Sequence, residues 1–276
     1  MTHAEGTFGG AFGLELSWQS WRPETEPRAA LVIVHGFGEH SGRYMNVVNH
    51  LLPLGYAVHA FDHRGHGRSP GQRGHIDEWA QFRGDVGAFL RFVGEREPSL
   101  PLFLMGHSLG GLIVLEFVLH SPEGIRGAIA SGPALAQVGI SPALLALGRV
   151  MSHIWPKFAL DTKLDANLIS RDPSVVKVYR DDPLVHSRAS ARLGAELERA
   201  MAWTHAHASG WRTPLLILHG GGDRLVPAQG SRAFFEKIPF PDKELHVYEG
   251  GYHEPHNDLQ RAEVLADLAG WLERHL

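Results

Sequence analysis

Apolar and polar positions along the chain fall into two alternating rhythms. Short apolar runs bounded by Gly, Pro or polar clusters occur at 29–34, 56–61, 102–105, 125–131, 214–219 and 245–248. Such runs are the mark of strands buried on both faces. Between them lie stretches with helical spacing at 44–54, 79–96, 109–119, 231–237 and 264–276. In the second of these, Phe82, Val86, Phe89, Leu90 and Val93 recur every three or four residues and mark one face. The first is stopped by Pro53 and Gly55. Near the start, residues 8–21 alternate enough for an antiparallel opening pair. Strands alternating with helices predict a mostly parallel, doubly wound α/β sheet. In such a sheet the chemistry gathers at the carboxyl ends of the strands.

The rhythm breaks at Gly132-Pro133. From about Ala134 to about His205 no strand is evident, and the pattern is helical at both ends. This predicts an α/β core made of residues 1–134 and 206–276, with a helical insertion at 135–205. Leu144, Leu147, Met151, Ile154, Trp155 and Phe158 form a stripe in it. The stripe has three readings: plain core, the wall of a pocket, or a surface that touches lipid.

Composition narrows the class. The chain has 276 residues and 43% hydrophobic content, enough for one large core. A formal net charge of −4 with no Lys/Arg run argues against a nucleic-acid partner. No cysteine is present, which excludes disulfides and thiolate catalysis. No apolar run reaches the roughly 18 residues of a membrane span, and the first ten residues hold Glu5 and no leader-like apolar core. A cytoplasmic location is the expectation. The 19 histidines raise the question of metal, but His63-x-x-His66 and His205-x-His207 lack the Cys or carboxylate company of a zinc site.

Candidate chemistry centres on Gly106-His107-Ser108-Leu109-Gly110, which fits G-x-S-x-G between an apolar strand and an apolar helix. Small residues two before and two after Ser108 allow the sharp turn that projects a nucleophile. A serine hydroxyl needs an imidazole as base and a carboxylate to orient it. Asp223 and His253 each follow a late strand, in the order Ser…Asp…His. His256 is a decoy three residues on, His219 is still on its strand, and Asp182 and Asp258 are poorer acids. The tetrahedral intermediate needs two backbone donors. Leu109 N–H and Phe37 N–H, in the loop after the 29–34 strand, are the candidates.

The same residues carry a resemblance. His35-Gly-Phe-Gly-Glu-His-Ser-Gly-Arg-Tyr44, Phe61-Asp-His-Arg-Gly-His-Gly-Arg-Ser69, Gly71-Gln-Arg-Gly74, the serine motif, His219-Gly-Gly-Gly-Asp223 and Tyr248-Glu-Gly-Gly-Tyr-His253 resemble monoacylglycerol lipases, within the serine α/β-hydrolases. The resemblance runs from about residue 7 to the end and is weakest in the insertion. It implies an α/β-hydrolase fold with a helical cap after the sixth strand and a tunnel for an acyl chain. It further implies that Glu39, Arg43 and His256 line the glycerol end of the pocket.

The expected activity is therefore hydrolysis of carboxylic esters, monoacylglycerols first, through an acyl-enzyme on Ser108, with neither cofactor nor metal required. A broader carboxylesterase or lysophospholipase is the alternative, and a non-catalytic binding module on this scaffold is the remote one. The cap stripe, Leu144, Leu147 and Met151 in particular, is expected to supply the apolar wall for the acyl chain. It could also make transient contact with lipid aggregates or a membrane surface.

Overall fold

The computed structural model describes residues 1–136 and 142–276. Eight strands form one sheet: β1 (Thr2–Gly9), β2 (Glu15–Arg22), β3 (Ala29–Val34), β4 (Tyr56–Phe61), β5 (Leu102–His107), β6 (Gly127–Ser131), β9 (Leu215–Gly220) and β10 (Lys243–Tyr248). Their spatial order is β1-β2-β4-β3-β5-β6-β9-β10. The first two strands pair antiparallel, β2 pairs antiparallel with β4, and the rest run parallel. This is the α/β-hydrolase fold. β1 starts earlier than the apolar pattern predicts. It is an exposed edge strand of polar and small residues, so alternation shows only near its end.

Both faces of the sheet are covered. On one side α2 (Ala80–Arg96) and α3 (Leu109–His120) bury Phe82, Val86, Phe89, Leu112 and Ile113 against β3 and β5. On the other, α1 (Met45–Leu51) and α8 (Arg261–Arg274) bury Val47, Val48, Leu268 and Trp271. Burial on two faces is why the central strands are continuous apolar runs. It is also why all ten residues from Leu109 to Val118 on α3 are buried. Among the described residues no helix is long and apolar enough to cross a membrane.

The chain leaves the sheet after β6 and returns at β9. In between lie α4 (Pro142–Ile154), β7 (Ala159–Asp161), α5 (Pro173–Asp181), β8 (Arg188–Ser190) and α6 (Ala191–His207). β7 and β8 form a small antiparallel pair. With three residues each, they are too short to show any period. The segment is fastened to the core at several strand-end loops. His186 N–H donates to Gly38 O at 2.8 Å and Ser190 N–H to Gly74 O at 2.9 Å. Glu254 N–H donates to Ile169 O at 2.8 Å, and Arg171 gives Asp258 its N–H at 2.7 Å and its Nε–H at 2.9 Å.

The stripe on α4 departs from the reading as plain core. Leu147 is 56% exposed, Ile154 76% and Trp155 58%, so this part of the stripe is not core. α4 packs on α6 instead, which in turn lies on α3. Leu144 carries a side chain outside the described residues.

The turn after β5 depends on backbone contact. A Cβ at Gly106 would stand 2.2 Å from Gly110 O, and one at Gly110 would stand 2.0 Å from Val34 O. Neither neighbour is a flexible side chain, so a methyl group has nowhere to go. Gly110→Ala is expected to cost more than about 3 kcal/mol and to lower the melting temperature by on the order of 10 °C. Gly94→Ala, where a Cβ in α2 meets nothing within 4 Å, is expected to stabilise by up to about 1 kcal/mol. Calorimetry on the two variants checks both; equal melting temperatures would contradict the close-packed turn.

Candidate active site

Ser108 sits between β5 and α3 with φ 53° and ψ −116°. This left-handed conformation is costly for a residue with a Cβ and persists only where the surroundings enforce it. The enforcing contacts are the strand-to-helix approach at the two glycines and Ser108 N–H donating to Ser131 O at 2.9 Å. Asp223 stands in the turn after β9, its Oδ1 accepting the N–H groups of Leu225 and Val226 at 2.8 and 2.9 Å. His253 lies in the loop after β10. Its Nδ1–H donates to Asp223 Oδ2 at 2.7 Å, and its Nε2 accepts the Ser108 hydroxyl at 2.9 Å. Residues 145 positions apart in sequence are thus brought into one hydrogen-bonded line.

The electrostatics follow from burial and pairing. Burial disfavours the His253 imidazolium, but the Asp223 carboxylate outweighs it and raises the pKa above the usual 6.5. Burial pushes the Asp223 carboxyl up. The charge of His253 and hydrogen bonds from His219, His253 and Val226 win, holding it well below the usual range.

The loop after β3 abuts Ser108. A Cβ on Gly36 would lie 3.3 Å from Ser108 Cβ. Phe37 follows it, and Leu109 opens α3, so its N–H has no intrahelical acceptor. Glu39 holds this loop in place. Its Oε1 accepts Gly36 N–H at 2.6 Å and the Tyr44 hydroxyl at 2.7 Å, and its Oε2 accepts Arg43 Nη1–H at 2.6 Å. Arg43 also pairs with Glu254 through two bonds of 2.7 and 2.9 Å. Burial raises the Glu254 carboxyl, but Arg43 overrides it and brings the pKa to about 2. The ring of Tyr179, from α5, lies 4.7 Å under the Arg43 guanidinium.

Two cavities meet at Ser108. One, of about 270 Å³, is walled by Leu109, Ala134, Leu164, Leu193, Gly194, Leu197, Met201, Leu225 and Val226. The other, of about 40 Å³, is walled by Gly36, Glu39, Arg43, His107, Leu164, Ile169, Tyr179 and Glu254. Phe37, Ser108 and His253 line both. A larger open cleft of about 600 Å³ beside α5 and Tyr252 touches none of these three. Its cations are already engaged: Arg171 with Asp258, Lys177 with Asp181 and Arg180 with Asn167.

Several expected residues lie elsewhere. His256 does not face substrate space. It is 1% exposed, stacked on Tyr44 at 5.1 Å between ring centroids and edge-on to His107 at 5.0 Å. A tight Pro255–Asn257 turn aims it inward. Leu147 and Met151 line neither cavity, because α4 turns its apolar stripe outward and α6 provides the wall. Of the rejected acids, Asp182 accepts from His40 and Asp258 is taken by Arg171 and Tyr252 N–H. His63 and His66 pack with His35, and among the described residues no cluster suits a metal ion. The residues not foreseen are Glu254, Tyr179, Leu164 and the α6 wall. Leu193, Leu197 and Met201 recur every four residues, a signal present in the sequence. Glu254 has no such mark.

The fold and this geometry define a hydrolase of the α/β-hydrolase class. The family profile described as serine aminopeptidase, S33, matches residues 25–260. The chain is 38% identical to a monoacylglycerol lipase of Mycolicibacterium smegmatis, over all of this chain and 99% of that one. The crystal structure of the Paleococcus ferrophilus monoacylglycerol lipase superposes with a TM-score of 0.86 at 36% identity, each chain covered in full. A soluble variant of the Saccharomyces cerevisiae monoglyceride lipase, in complex with a substrate analog, gives 0.89 at 25% identity over all of this chain and 96% of that one. The chain belongs to the monoacylglycerol lipase family of the α/β-hydrolases.

Acid sensitivity follows from the histidines packed around the site. Burial holds His63 to about 4, His107 and His256 to about 3, and His35 and His66 well below the usual 6.5. Each takes up a proton more readily unfolded than folded. Each therefore stabilises fully above about 6.5, and that contribution is lost as pH falls toward the folded value. His253 has the opposite sign: its stabilisation is complete below 6.5 and fades as pH rises through its raised pKa. Five groups against one leave the fold weaker by on the order of 5 kcal/mol at pH 5.5. Urea unfolding at pH 7.5 and 5.5 measures it. Equal midpoints would mean these rings are not buried as described.

Proposed function

We propose that the protein hydrolyses monoacylglycerols to a fatty acid and glycerol, with Ser108, His253 and Asp223 as the catalytic triad. The observation that carries this reading is the position of Ser108 between an apolar cavity of about 270 Å³ and a small one lined by charged groups. The apolar arm suits an acyl chain, each buried CH₂ of which is worth about 0.8 kcal/mol. The polar arm is small, at about 40 Å³, and its charged groups Glu39, Arg43 and Glu254 suit a small polyol such as glycerol. Both of its carboxylates are held by Arg43. A peptide α-ammonium would find no free anion there, which favours an ester over an aminopeptidase substrate.

In this reading Ser108 Oγ attacks the ester carbonyl while His253 Nε2 takes its proton. Asp223 keeps the proton of His253 on Nδ1 and stabilises the imidazolium. The N–H groups of Phe37 and Leu109 receive the oxyanion. His253 then protonates the departing glycerol oxygen. Water enters through the vacated polar arm, His253 deprotonates it, and the acyl-enzyme is cleaved. His253 works as a base only when neutral, so kcat/KM should rise with pH through a value above 6.5. The segment 135–205 serves as a cap whose α6 face, with Leu164, roofs the acyl arm. The exposed crest of Leu147, Ile154 and Trp155 serves as its contact with lipid aggregates.

Ser108→Ala is expected to lower turnover by on the order of 10⁶ with an unchanged circular dichroism spectrum. A natively folded variant that still turns over would end the reading. Gly194→Trp is a cleaner probe of the acyl arm, because Gly194 is at the exposed end of the cavity and its Cβ would meet nothing within 4 Å. The indole should cut kcat/KM for long-chain monoacylglycerols by 10-fold or more, equivalent to about two CH₂ groups lost from water-free contact. Butyryl esters should be nearly unaffected. Curves against chain length that fall in parallel would place the acyl chain elsewhere. Ile154→Ser with Trp155→Ser should lower activity on emulsified substrate several-fold and spare dissolved substrate; equal loss on both would remove the lipid-contact role.

A further inference from the structure

Asp223 is touched by two histidines. Besides His253, His219 lies against the same oxygen, with Nε2 3.3 Å from Asp223 Oδ2. His219 is the fifth residue of β9, has no solvent exposure, and is tied at both nitrogens. Its Nε2–H donates to Val226 O at 2.9 Å, and its Nδ1 stands 2.8 Å from the hydroxyl of Ser231, on α7 (Ala228–Lys237). A carbonyl only accepts, so the proton must be on Nε2. Nδ1 then accepts from Ser231, itself fully buried. The nitrogen that donates to Val226 O thus also lies 3.3 Å from Asp223 Oδ2. Val226 closes the ring by donating its own N–H to Asp223 Oδ1.

We propose that His219, set in one tautomer by Ser231, is a positioning residue for Asp223. It fixes the turn that carries the carboxylate and draws off part of the charge on Oδ2, thereby setting the basicity of His253. The inference rests on the triad reading above. Asp223 Oδ2 has two claimants, and a share taken by His219 is a share not given to His253. The other titratable or charged groups around His253 are His107 on β5, at 4.9 Å between ring centroids, Glu254 next in its own loop, and Glu39 after β3. None of these touches Asp223 in the hydrogen-bond pattern, so the effect of His219 is separable from theirs.

The test is the pH profile of kcat/KM on a soluble short-chain ester for wild type, His219→Leu and His219→Gln. Leucine removes the donor, so Asp223 pulls harder on His253. The acid limb should move up by roughly half a pH unit, and kcat should fall about tenfold with KM unchanged, as for the loss of one hydrogen bond to a charged group. Glutamine puts an amide N–H where Nε2 was and should restore the limb and stay within about twofold of wild-type kcat. A folded His219→Leu enzyme with wild-type limb and kcat would overturn the proposal and leave His219 as packing. If that variant does not fold, ¹⁵N spectra of the wild-type imidazoles decide. A His219 tautomer with the proton on Nε2 supports the proposal, and an Nδ1–H tautomer refutes it. Asp223→Asn separates the two levels: it should lose about 10⁴ in kcat. An active Asp223→Asn enzyme would remove the triad reading itself, whatever His219 does.

Discussion

Everything at the site depends on a serine held in a backbone conformation it would not choose. Ser108 can remain at φ 53° only because α3 approaches β5 and β3 more closely than a Cβ on Gly106 or Gly110 would permit. The sheet provides that approach, and the sheet is stable because its central strands are buried on both faces. The strain at one residue is thus supported by the packing of two hydrophobic layers tens of residues away in sequence. The turn places the hydroxyl above the sheet edge, where three other strand-end loops can reach it.

The second constraint is charge in a dry place. Arg43 stands between Glu39 and Glu254 with its side chain 6% exposed, a geometry that costs a great deal unless every donor and acceptor is matched. Here the matching extends outward: Glu39 also receives the Gly36 N–H, and so links the ion network to the loop of Phe37. An electrostatic cluster that looks like a substrate-binding site is at the same time the brace of the loop beside Ser108. Buried neutral histidines fill the space around it, which makes the region compact and ties its integrity to pH.

The central strands, their flanking helices and the three strand-end residues Ser108, Asp223 and His253 were legible because each is set by a local rule. Double-sided burial writes an apolar run, a sharp turn demands glycines, and the order of late strands brings Asp before His. What was illegible depends on rotation and on contact between distant segments. The stripe at 147–158 announces an amphipathic helix, and periodicity alone cannot say whether that face looks in or out. The α6 leucines carry an equal signal that competes with it. His256 fell on the wrong side of its loop because the inward aim of a tight turn is a tertiary matter. Glu254, Tyr179 and Leu164 join the site from three separate loops and helices, with no spacing that links them.

The insertion is fastened unevenly. Its 168–171 stretch is bonded to the loop that carries His253, through His253 and Glu254 N–H and through Asp258, while α4 rests mainly on α6. Lifting the whole insertion as a rigid body would pull His253 away from Ser108. The 168–171 stretch is thus an abutment for the His253 loop, and the seating of the insertion is coupled mechanically to the Ser108–His253 distance.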